Sequence, residues 1–301
     1  MRIGVAATPD VAIPVLEWLL TSHHELALVI SQPDRPAGRG REVSSSSVSR
    51  WALSHGVPLL QPEKSEELIG IIDGLDLVVT IGYGVLLPEH ILTLPRHGCI
   101  NLHFSLLPKY RGAAPAQRAI ENGESVTGVT VFALDKGMDT GPIYRTQEIT
   151  IDPQWRTQEL LVSLSEIGPG VVEEALNDID AGVAPIPQTG SSSSAQKISK
   201  DEAKIMWDNN ASIILQRIRA FYPAPCAWTT WRDESFKITR AAMFSAQLIP
   251  GEIALIDGNV VVGCGQESAI SLVSVIPAGK KEMSASEWAR GARLMEGSTF
   301  A

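Results

Sequence analysis

The sequence predicts an α/β protein in two parts: a mostly parallel sheet covered by helices, followed by a small barrel or sandwich of short strands. Strand-like and helix-like segments alternate through the first half, which is the pattern of a parallel sheet. A polar, Ser-rich stretch then precedes several short strand candidates separated by Gly and Pro turns. The 301 residues, of which 44% are hydrophobic, are enough for two domains with apolar cores.

The first half is expected to begin on a strand and to end on a long helix. Leu77–Ile81 is nearly all apolar, as a strand buried on both faces should be. Gly168-Pro169-Gly170 is expected to break or kink the last helix. Strands are predicted near Arg2 to Ala6, Leu26 to Ser31, Leu75 to Tyr83, Cys99 to Ser105, Val129 to Leu134 and Ile143 to Ile149. Helices are predicted near Ile13 to Thr21, Val48 to His55, Ala116 to Asn122 and Thr157 to Ala181.

The second half follows a stretch that is too polar and too small to bury much surface. This stretch, Gln188 to Gln196, predicts a linker. We therefore expect a catalytic domain at 1–187, a linker at 188–204 and a C-terminal domain at 205–301. The C-terminal domain is predicted to hold a helix at Ala211 to Phe221 and strands at Cys226 to Trp231, Phe236 to Ala241, Gly251 to Ile256, Val260 to Gly263 and Ile270 to Ile276.

Composition excludes several classes of protein. The net charge is −9, with −10 in residues 1–190 and +1 in residues 191–301, whereas a general nucleic-acid binder normally has a strongly basic domain. The chain has no apolar run of signal-peptide or membrane-spanning length, so a cytoplasmic location without membrane contact is expected. The three cysteines lie far apart without CxxC spacing and the histidines form no cluster, so neither a disulfide framework nor a metal site is predicted.

The candidate chemistry lies between Cys99 and Gly141. Asn101 and His103 are two residues apart, so on a strand they point to the same side, while their apolar neighbours point to the other. Asp139 follows between Gly137 and Gly141. Taken singly, an Asn-x-His pair is usually structural and an Asp before Thr-Gly is usually a turn residue. Their combination is what indicates a catalytic site.

The motifs of this stretch resemble those of the formyltransferases that use 10-formyltetrahydrofolate, and most closely the branch that acts on methionyl-tRNA. The resemblance covers nearly the whole chain, and it implies a Rossmann-like catalytic domain followed by an oligonucleotide-binding-like β-barrel. It is carried by Asn101-Leu102-His103, Ser105-Leu106-Leu107-Pro108, Arg111-Gly112 and Asp139-Thr140-Gly141, and it extends to Ala6 to Asp10, Gln32 to Gly40 and Pro277 to Lys281.

Formyl transfer requires a neutral amine, a donor to the oxygen that becomes anionic, and a route for the amine proton to the departing nitrogen. Asn101 can donate from its amide to the formyl oxygen. His103 can donate to the same oxygen or to the departing nitrogen. Asp139 is expected to orient His103 and keep it charged, or to relay the proton through water; the sequence does not decide whether it is a true base.

The resemblance also implies where the formyl donor lies. In relatives the folate runs along the Ser-Leu-Leu-Pro segment, here Ser105, Leu106, Leu107 and Pro108, and beside the loop that contains Tyr83 and Gly84. An ordinary turn at Tyr83-Gly84, with both leucines in the core, is the alternative interpretation. Ala7 stands where relatives usually carry glycine, and Phe104 stands where they often carry a smaller residue, so the first loop and the pocket wall are expected to differ.

The acceptor is implied by other residues. In the methionyl-tRNA branch a loop wedges into the tRNA acceptor stem, and here it would carry Arg35, Arg39 and Arg41, with Arg39 at the matching position. Lys280 and Lys281 could belong to a phosphate track on the C-terminal domain. The predicted partners are methionyl initiator tRNA and the folate donor, and the predicted state is a monomer.

Two other functions remain open from the sequence. The first is a folate-dependent formyltransferase that acts on a sugar nucleotide or a small amine, which would share Asn101, His103 and Asp139 but should lack the arginine loop. The second is an inactive RNA-binding module that uses only the barrel, against which the intact catalytic set argues. A nicotinamide enzyme is disfavoured because no G-x-G-x-x-G follows the first strand.

Overall fold

The structure is a computed structural model, and it describes residues 1–37 and 42–301. The chain forms two compact units. The first comprises Met1–Pro115, Val126–Thr150 and Leu161–Gln196, and the second comprises Ala116–Ser125, Ile151–Leu160 and Lys197–Ala301. The first unit is α/β with a mostly parallel sheet and the second is built on a curled antiparallel sheet. The predicted fold class is therefore confirmed.

A seven-stranded sheet forms the centre of the first unit, in the order β5-β2-β1-β6-β7-β8-β9. The first five strands in this order, β5, β2, β1, β6 and β7, are parallel, whereas β8 and β9 run antiparallel to their neighbours. The strands of this unit are β1 (Arg2–Ala7), β2 (Glu25–Ile30), β3 (Arg35–Ala37), β4 (Glu42–Ser44), β5 (Leu59–Leu60), β6 (Leu77–Ile81), β7 (Cys99–His103), β8 (Val126–Ala133) and β9 (Ile143–Thr150).

The helices of the chain are α1 (Ile13–Thr21), α2 (Ser47–Ser54), α3 (Glu89–Leu92), α4 (Pro115–Glu121), α5 (Thr157–Asp180), α6 (Ala211–Ala220) and α7 (Ala285–Ala292). In α2 the first turn is capped by Ser46, whose hydroxyl accepts from the backbone N–H of Ser49. Each helix expected from the sequence is present, and α3 and α7 are additional.

The order of the sheet fixes where a site can form. From β1 the chain adds β2 and β5 on one side, then crosses to add β6 and β7 on the other. The reversal between β1 and β6 opens a crevice at the carboxyl ends of these strands, which is where ligands bind in open α/β sheets. Asn101 and His103 lie at the carboxyl end of β7, beside this crevice.

Helix α5 continues through Pro169, so of the predicted break or kink the break is absent. A proline removes one backbone donor from the helix, and this loss is tolerated where packing holds both turns in place. Gly168 is close to Leu102 of β7, because a Cβ at this glycine would lie 2.9 Å from the Leu102 side chain. The glycine therefore lets the helix approach the sheet, and α5 remains unbroken.

Two features of the first unit were not expected. Strands β3 and β4 pair in antiparallel orientation, from Arg35 opposite Ser44 to Ala37 opposite Glu42. The predicted linker from Gln188 to Gln196, named the strap below, is hydrogen-bonded to the segment that follows β7. The Arg111 N–H donates to the Ser193 carbonyl at 2.9 Å, and the Ala195 N–H donates to the Arg111 carbonyl at 2.6 Å.

The second unit contains an antiparallel sheet in the order β10-β11-β14-β13-β12, with β15 paired to β14. The pairing of β11 with β14 is irregular near Arg240, and such irregularities bend a sheet, as the predicted barrel requires. An aromatic core fills it, with Phe236, Trp288 and Phe300 packed together and buried. The strands are β10 (Trp228–Trp231), β11 (Glu234–Phe244), β12 (Ile253–Ile256), β13 (Asn259–Cys264), β14 (Ser268–Ile276) and β15 (Met283–Ser284).

The cysteines are free thiols inside the protein. Cys99, Cys226 and Cys264 are each no more than 3% exposed. Burial raises the pKa of the Cys99 thiol to about 12 and that of Cys226 to about 11.

In the part of the chain that the structure describes, none of the helices is long and apolar enough to span a membrane.

Candidate active site

A cavity of about 380 Å³ opens at the carboxyl ends of β6 and β7. This volume lies within the range of small-molecule sites. Asn101, His103 and Asp139 all face the same cavity, so the structure brings the three predicted catalytic residues together. The remaining lining is mostly apolar and includes Gly82, Tyr83, Gly84, Val85, Leu86, Leu87, Leu92, Phe104, Leu134 and Met138.

Asn101 is oriented by its neighbour on β6. Its Oδ1 accepts a hydrogen bond of 2.8 Å from the Thr80 hydroxyl, which also lies 3.1 Å from the Ile100 carbonyl. Because the amide oxygen of Asn101 is engaged by this donor, its Nδ2 is the group presented to the cavity. Asn101 therefore offers N–H donors to an oxygen bound in the cavity.

His103 is buried, with 5% of its surface exposed, and its ring is held from both sides. Nε2 lies 2.9 Å from the Tyr110 carbonyl, so Nε2 carries a hydrogen and donates. Nδ1 faces Asp139, with 3.7 Å between Nδ1 and Oδ2. Burial lowers the pKa of His103, whereas Asp139 and the Tyr110 carbonyl oppose this effect. The lowered pKa favours a neutral ring whose Nδ1 is free to take up a proton.

The position of Asp139 is fixed by its backbone and by a glycine. Its φ of 54° lies in the left-handed region, which glycine, asparagine and aspartate adopt more readily than other residues. Its Oδ2 accepts a 2.7 Å hydrogen bond from the Gly112 N–H. Gly112 has a φ of 126° and lies against the strap, because a Cβ there would come within 2.7 Å of the Ala195 carbonyl. The Arg-Gly of the motif thus brings a backbone donor to the carboxylate.

The loop around Asp139 is built by its own sequence. The Asp135 Oδ1 accepts hydrogen bonds from the Gly137 N–H at 2.9 Å and from the Thr140 hydroxyl at 2.6 Å. At Gly141 a Cβ would lie 1.8 Å from the Ala133 carbonyl, so a glycine is required there. The residues from Asp135 to Gly141 therefore form a compact turn that projects Asp139 towards His103.

The structure divides the predicted folate-binding residues into two groups. Tyr83 and Gly84 line the cavity, and the Tyr83 carbonyl accepts hydrogen bonds of 3.2 Å from Thr8 and from Gln32. Phe104 also lines the cavity, where the sequence predicts a bulkier pocket wall. The Ser-Leu-Leu-Pro residues Ser105, Leu106, Leu107 and Pro108 do not line it, and the buried Ser105 hydroxyl donates to the Lys109 carbonyl.

Of the five predicted tRNA-binding residues the structure describes three, one in the first unit and two in the second. Arg35 is exposed at the start of β3, and its guanidinium lies 3.5 Å from the Gln32 side chain. Arg39 and Arg41 lie outside the described residues. Lys280 and Lys281 are exposed in the turn between β14 and β15 of the second unit. Their proposed role in binding tRNA stays a prediction.

Sequence reasoning missed three contributors to this geometry. Thr80 could have been found, because a hydroxyl in an otherwise apolar, fully buried strand must have a hydrogen-bonding partner. Tyr110 and Gly112 act through a backbone carbonyl and a backbone N–H, for which side-chain chemistry gives no signal.

Among residues 1–37 and 42–301, no group of His, Cys, Asp and Glu side chains is arranged to hold a metal ion.

Comparison with known proteins places this geometry in a family. The model of the formyl transferase family matches residues 1–176, and the model of the formyl transferase C-terminal domain matches residues 197–293. The chain belongs to the formyl transferase family. This confirms the family predicted from the motifs around Asn101.

Relatives within the family are similar along their whole length. The methionyl-tRNA formyltransferase of Thermodesulfovibrio yellowstonii is 40% identical, over 96% of this chain and 96% of its own. That of Mycobacterium sp. strain KMS is 43% identical, over 98% of both chains. Within the formyl transferases, the chain is therefore grouped with the methionyl-tRNA formyltransferases, as the sequence predicted.

Two solved structures share the fold. HypX from Aquifex aeolicus, in complex with tetrahydrofolic acid, matches 97% of this chain with a TM-score of 0.68 and 17% identity, and this chain spans 47% of the HypX chain. An N-formyltransferase from Helicobacter canadensis, in complex with folinic acid and dTDP-3-aminofucose, matches 90% of this chain and 98% of its own, with a TM-score of 0.67 and 19% identity. At these identities the likeness concerns the fold.

Proposed function

We propose that this enzyme transfers the formyl group of 10-formyltetrahydrofolate to the amino group of methionyl initiator tRNA, for the initiation of translation. The observation that carries the proposal is the convergence of Asn101, His103 and Asp139 on one cavity. Full-length similarity to methionyl-tRNA formyltransferases supports the acceptor. In the overall reaction a new C–N bond forms to the amine, the C–N bond to the donor nitrogen breaks, and one proton passes between the two nitrogens.

The cavity suits a folate as formyl donor. Its wall offers Tyr83, Leu86 and Leu87 for packing against a flat ring system, and its polar residues are grouped where the strands end. When bound, the folate would supply the activated formyl group. Tyr83 and Gly84 are proposed to contact the folate. Ser105 to Pro108 do not line the cavity, and we propose that they contribute indirectly, by supporting the segment that leads to Tyr110.

The three polar residues divide the chemistry. Asn101 Nδ2 donates to the formyl oxygen and stabilises the negative charge that develops there. The neutral His103 can accept the amine proton at Nδ1, because Nε2 is committed to the Tyr110 carbonyl. Asp139 then stabilises the imidazolium across the 3.7 Å separation, until the proton passes to the departing nitrogen. This assignment makes the electrostatic role of Asp139 the principal one.

The remaining functional proposals concern the setting of the reaction. We propose that the first unit carries out the chemistry and that the C-terminal part, with Lys280 and Lys281, binds the tRNA. A cytoplasmic location and a monomeric state are proposed as well, because charged initiator tRNA is a cytoplasmic substrate and the three catalytic residues come from one chain.

A direct assay tests the proposed function. Purified protein is given a labelled formyl donor together with charged initiator tRNA, charged elongator tRNA or a sugar-nucleotide amine. We expect label on the initiator tRNA. Label on the sugar-nucleotide amine alone would instead support the sugar-nucleotide alternative, and a protein that binds tRNA without any transfer would support the RNA-binding alternative.

The arginine loop provides a prediction about the acceptor. Arg39→Ala should reduce kcat/KM for charged tRNA about tenfold or more, because one bidentate arginine contact to nucleic acid contributes about 1–3 kcal/mol. Affinity for tetrahydrofolate, measured by calorimetry, should be unchanged. Arg96→Ala, which changes an exposed arginine elsewhere on the first unit, is the matched control. Kinetics for tRNA equal to those of the control would contradict the proposed role of this loop.

Thr80 provides a second prediction. Thr80→Val removes the hydroxyl that donates to Asn101 but keeps the branched shape of the side chain, so the Asn101 amide loses its orientation. We expect kcat to fall about tenfold, because the loss of one hydrogen bond that contributes roughly 1.4 kcal/mol lowers a rate by this factor. Thr80→Ser should retain most of the activity. Equal rates for the valine and serine variants would show that the hydroxyl does not matter.

A further inference from the structure

Gln188, the first residue of the strap, joins two segments of the active site. Its Nε2 donates to the Asp139 carbonyl at 2.9 Å and to the Gly141 carbonyl at 2.8 Å. Its Oε1 accepts from the Arg111 guanidinium, at 2.7 Å from Nη2 and 3.2 Å from Nε. The two donors and the two acceptor positions of this amide are therefore all used between the Arg111 segment and the Asp139 turn.

The two carbonyls that Gln188 contacts lie on either side of Thr140, one of them on Asp139 itself. Asp139 has left-handed backbone geometry, which asparagine and aspartate adopt more readily than most other residues with a side chain. Hydrogen bonds from Gln188 to both ends of this short stretch constrain the backbone from which the carboxylate projects.

The strap holds the other side of His103 as well. The Tyr110 N–H donates to the Ser193 hydroxyl at 2.9 Å, and the next residue, Arg111, is bonded to Ser193 and Ala195 through its backbone. The Tyr110 carbonyl is the acceptor for His103 Nε2. The strap thus supports both neighbours of the His103 ring, Asp139 at Nδ1 and Tyr110 at Nε2.

We propose that Gln188 is a positioning residue for formyl transfer, which sets the place of the Asp139 carboxylate opposite His103. The inference rests on the proposed function for its kinetic consequences. An amide is suited to the task because it can accept from a guanidinium and donate to two carbonyls at once, whereas a carboxylate can do only the first. A displacement of about 1 Å at a catalytic group can cost around 100-fold in rate.

Three variants separate positioning from general support of the fold. Gln188→Ala removes every contact. Gln188→Glu keeps an acceptor for Arg111 but cannot donate to the Asp139 and Gly141 carbonyls, so it retains the tie to the Arg111 segment. Thr189→Ala changes the adjacent, exposed residue of the same strap and is the matched control.

The kinetic readout is formylation of charged initiator tRNA. We expect kcat to fall between about 10- and 100-fold in Gln188→Ala and in Gln188→Glu, with KM for donor and for tRNA within about twofold of wild type. Thermal midpoints and tetrahydrofolate binding show whether each variant is folded, and if Gln188→Ala does not fold, Gln188→Glu decides. A folded Gln188→Glu with the kcat of Thr189→Ala would overturn the inference.

A second readout does not need catalysis. The imidazole of His103 can be titrated by NMR in protein labelled with ¹³C-histidine. Since the Asp139 charge opposes the lowering of the His103 pKa by burial, a loosened Asp139 should lower this pKa further in Gln188→Ala and leave it unchanged in Thr189→Ala. An unshifted pKa would count against positioning. If the wild type shows no formylation, the proposed function fails, while this titration still tests the role of Gln188.

Discussion

Replacing Asp139 with asparagine is expected to lower the rate of formyl transfer by a factor between about 10² and 10⁴, the range found for groups that assist proton transfer. Asparagine has the same shape, tolerates left-handed backbone geometry and can still accept from the Gly112 N–H. What it lacks is the negative charge opposite Nδ1 of His103. The loss should therefore appear in kcat under single-turnover conditions, with donor and tRNA binding retained.

The control for this substitution is available in the second unit. Asp233 is exposed, has a φ of 62° and is not among the residues that line the cavity, so Asp233→Asn makes the same chemical change at a similar backbone geometry. Its activity should equal that of the wild type. If Asp139→Asn is folded and transfers the formyl group as fast as Asp233→Asn, Asp139 does not have the electrostatic role assigned to it.

Asn101→Asp is expected to cost about 10²- to 10³-fold in kcat, the usual loss when a single donor to a developing oxyanion is removed. The aspartate can still accept from the Thr80 hydroxyl, so the side chain should keep its place. A carboxylate oxygen would then occupy the position of Nδ2 and repel the charge that forms on the formyl oxygen. Stability should change little, because Asn101 is only partly buried.

An exposed asparagine gives the comparison for this second substitution. Asn177→Asp lies on the solvent side of α5 and should leave kcat unchanged. Donor affinity, measured with tetrahydrofolate, is expected to be similar in wild type and both variants. Should Asn101→Asp weaken tetrahydrofolate binding as much as it lowers kcat/KM, Asn101 would be a binding residue and the oxyanion assignment would be wrong.

The sequence predicts most of the fold because its signals are local. The apolar stretch of β6 and the amphipathic helices identify a covered parallel sheet, and short strands with Gly and Pro turns identify the second sheet. Strand direction is not local, so the antiparallel β8 and β9 could not be read from their residues. Helix α5 continues through Pro169 although proline locally favours a break, because tertiary packing can override local propensity.

The candidate site is predicted in part for the same reason. Asn101, His103 and Asp139 carry side-chain chemistry and a recognisable spacing, and they do converge in the structure. Tyr110 and Gly112 contribute backbone groups, whose partners depend on how the chain folds back. Gln188 lies in a stretch whose composition indicates a linker, and its use as a hydrogen-bonding centre appears only once the Arg111 segment and the Asp139 turn are brought together.

The burial of the cysteines makes this protein convenient for site-specific spectroscopy. Thiol reagents attack the thiolate, and at neutral pH Cys99 and Cys226 are kept protonated as well as shielded from solvent. A cysteine introduced at an exposed position, such as Lys280, would therefore be the preferred target of a maleimide dye in the otherwise unaltered chain. Fluorescence from that dye would test whether tRNA binds near this turn, without prior removal of any native thiol.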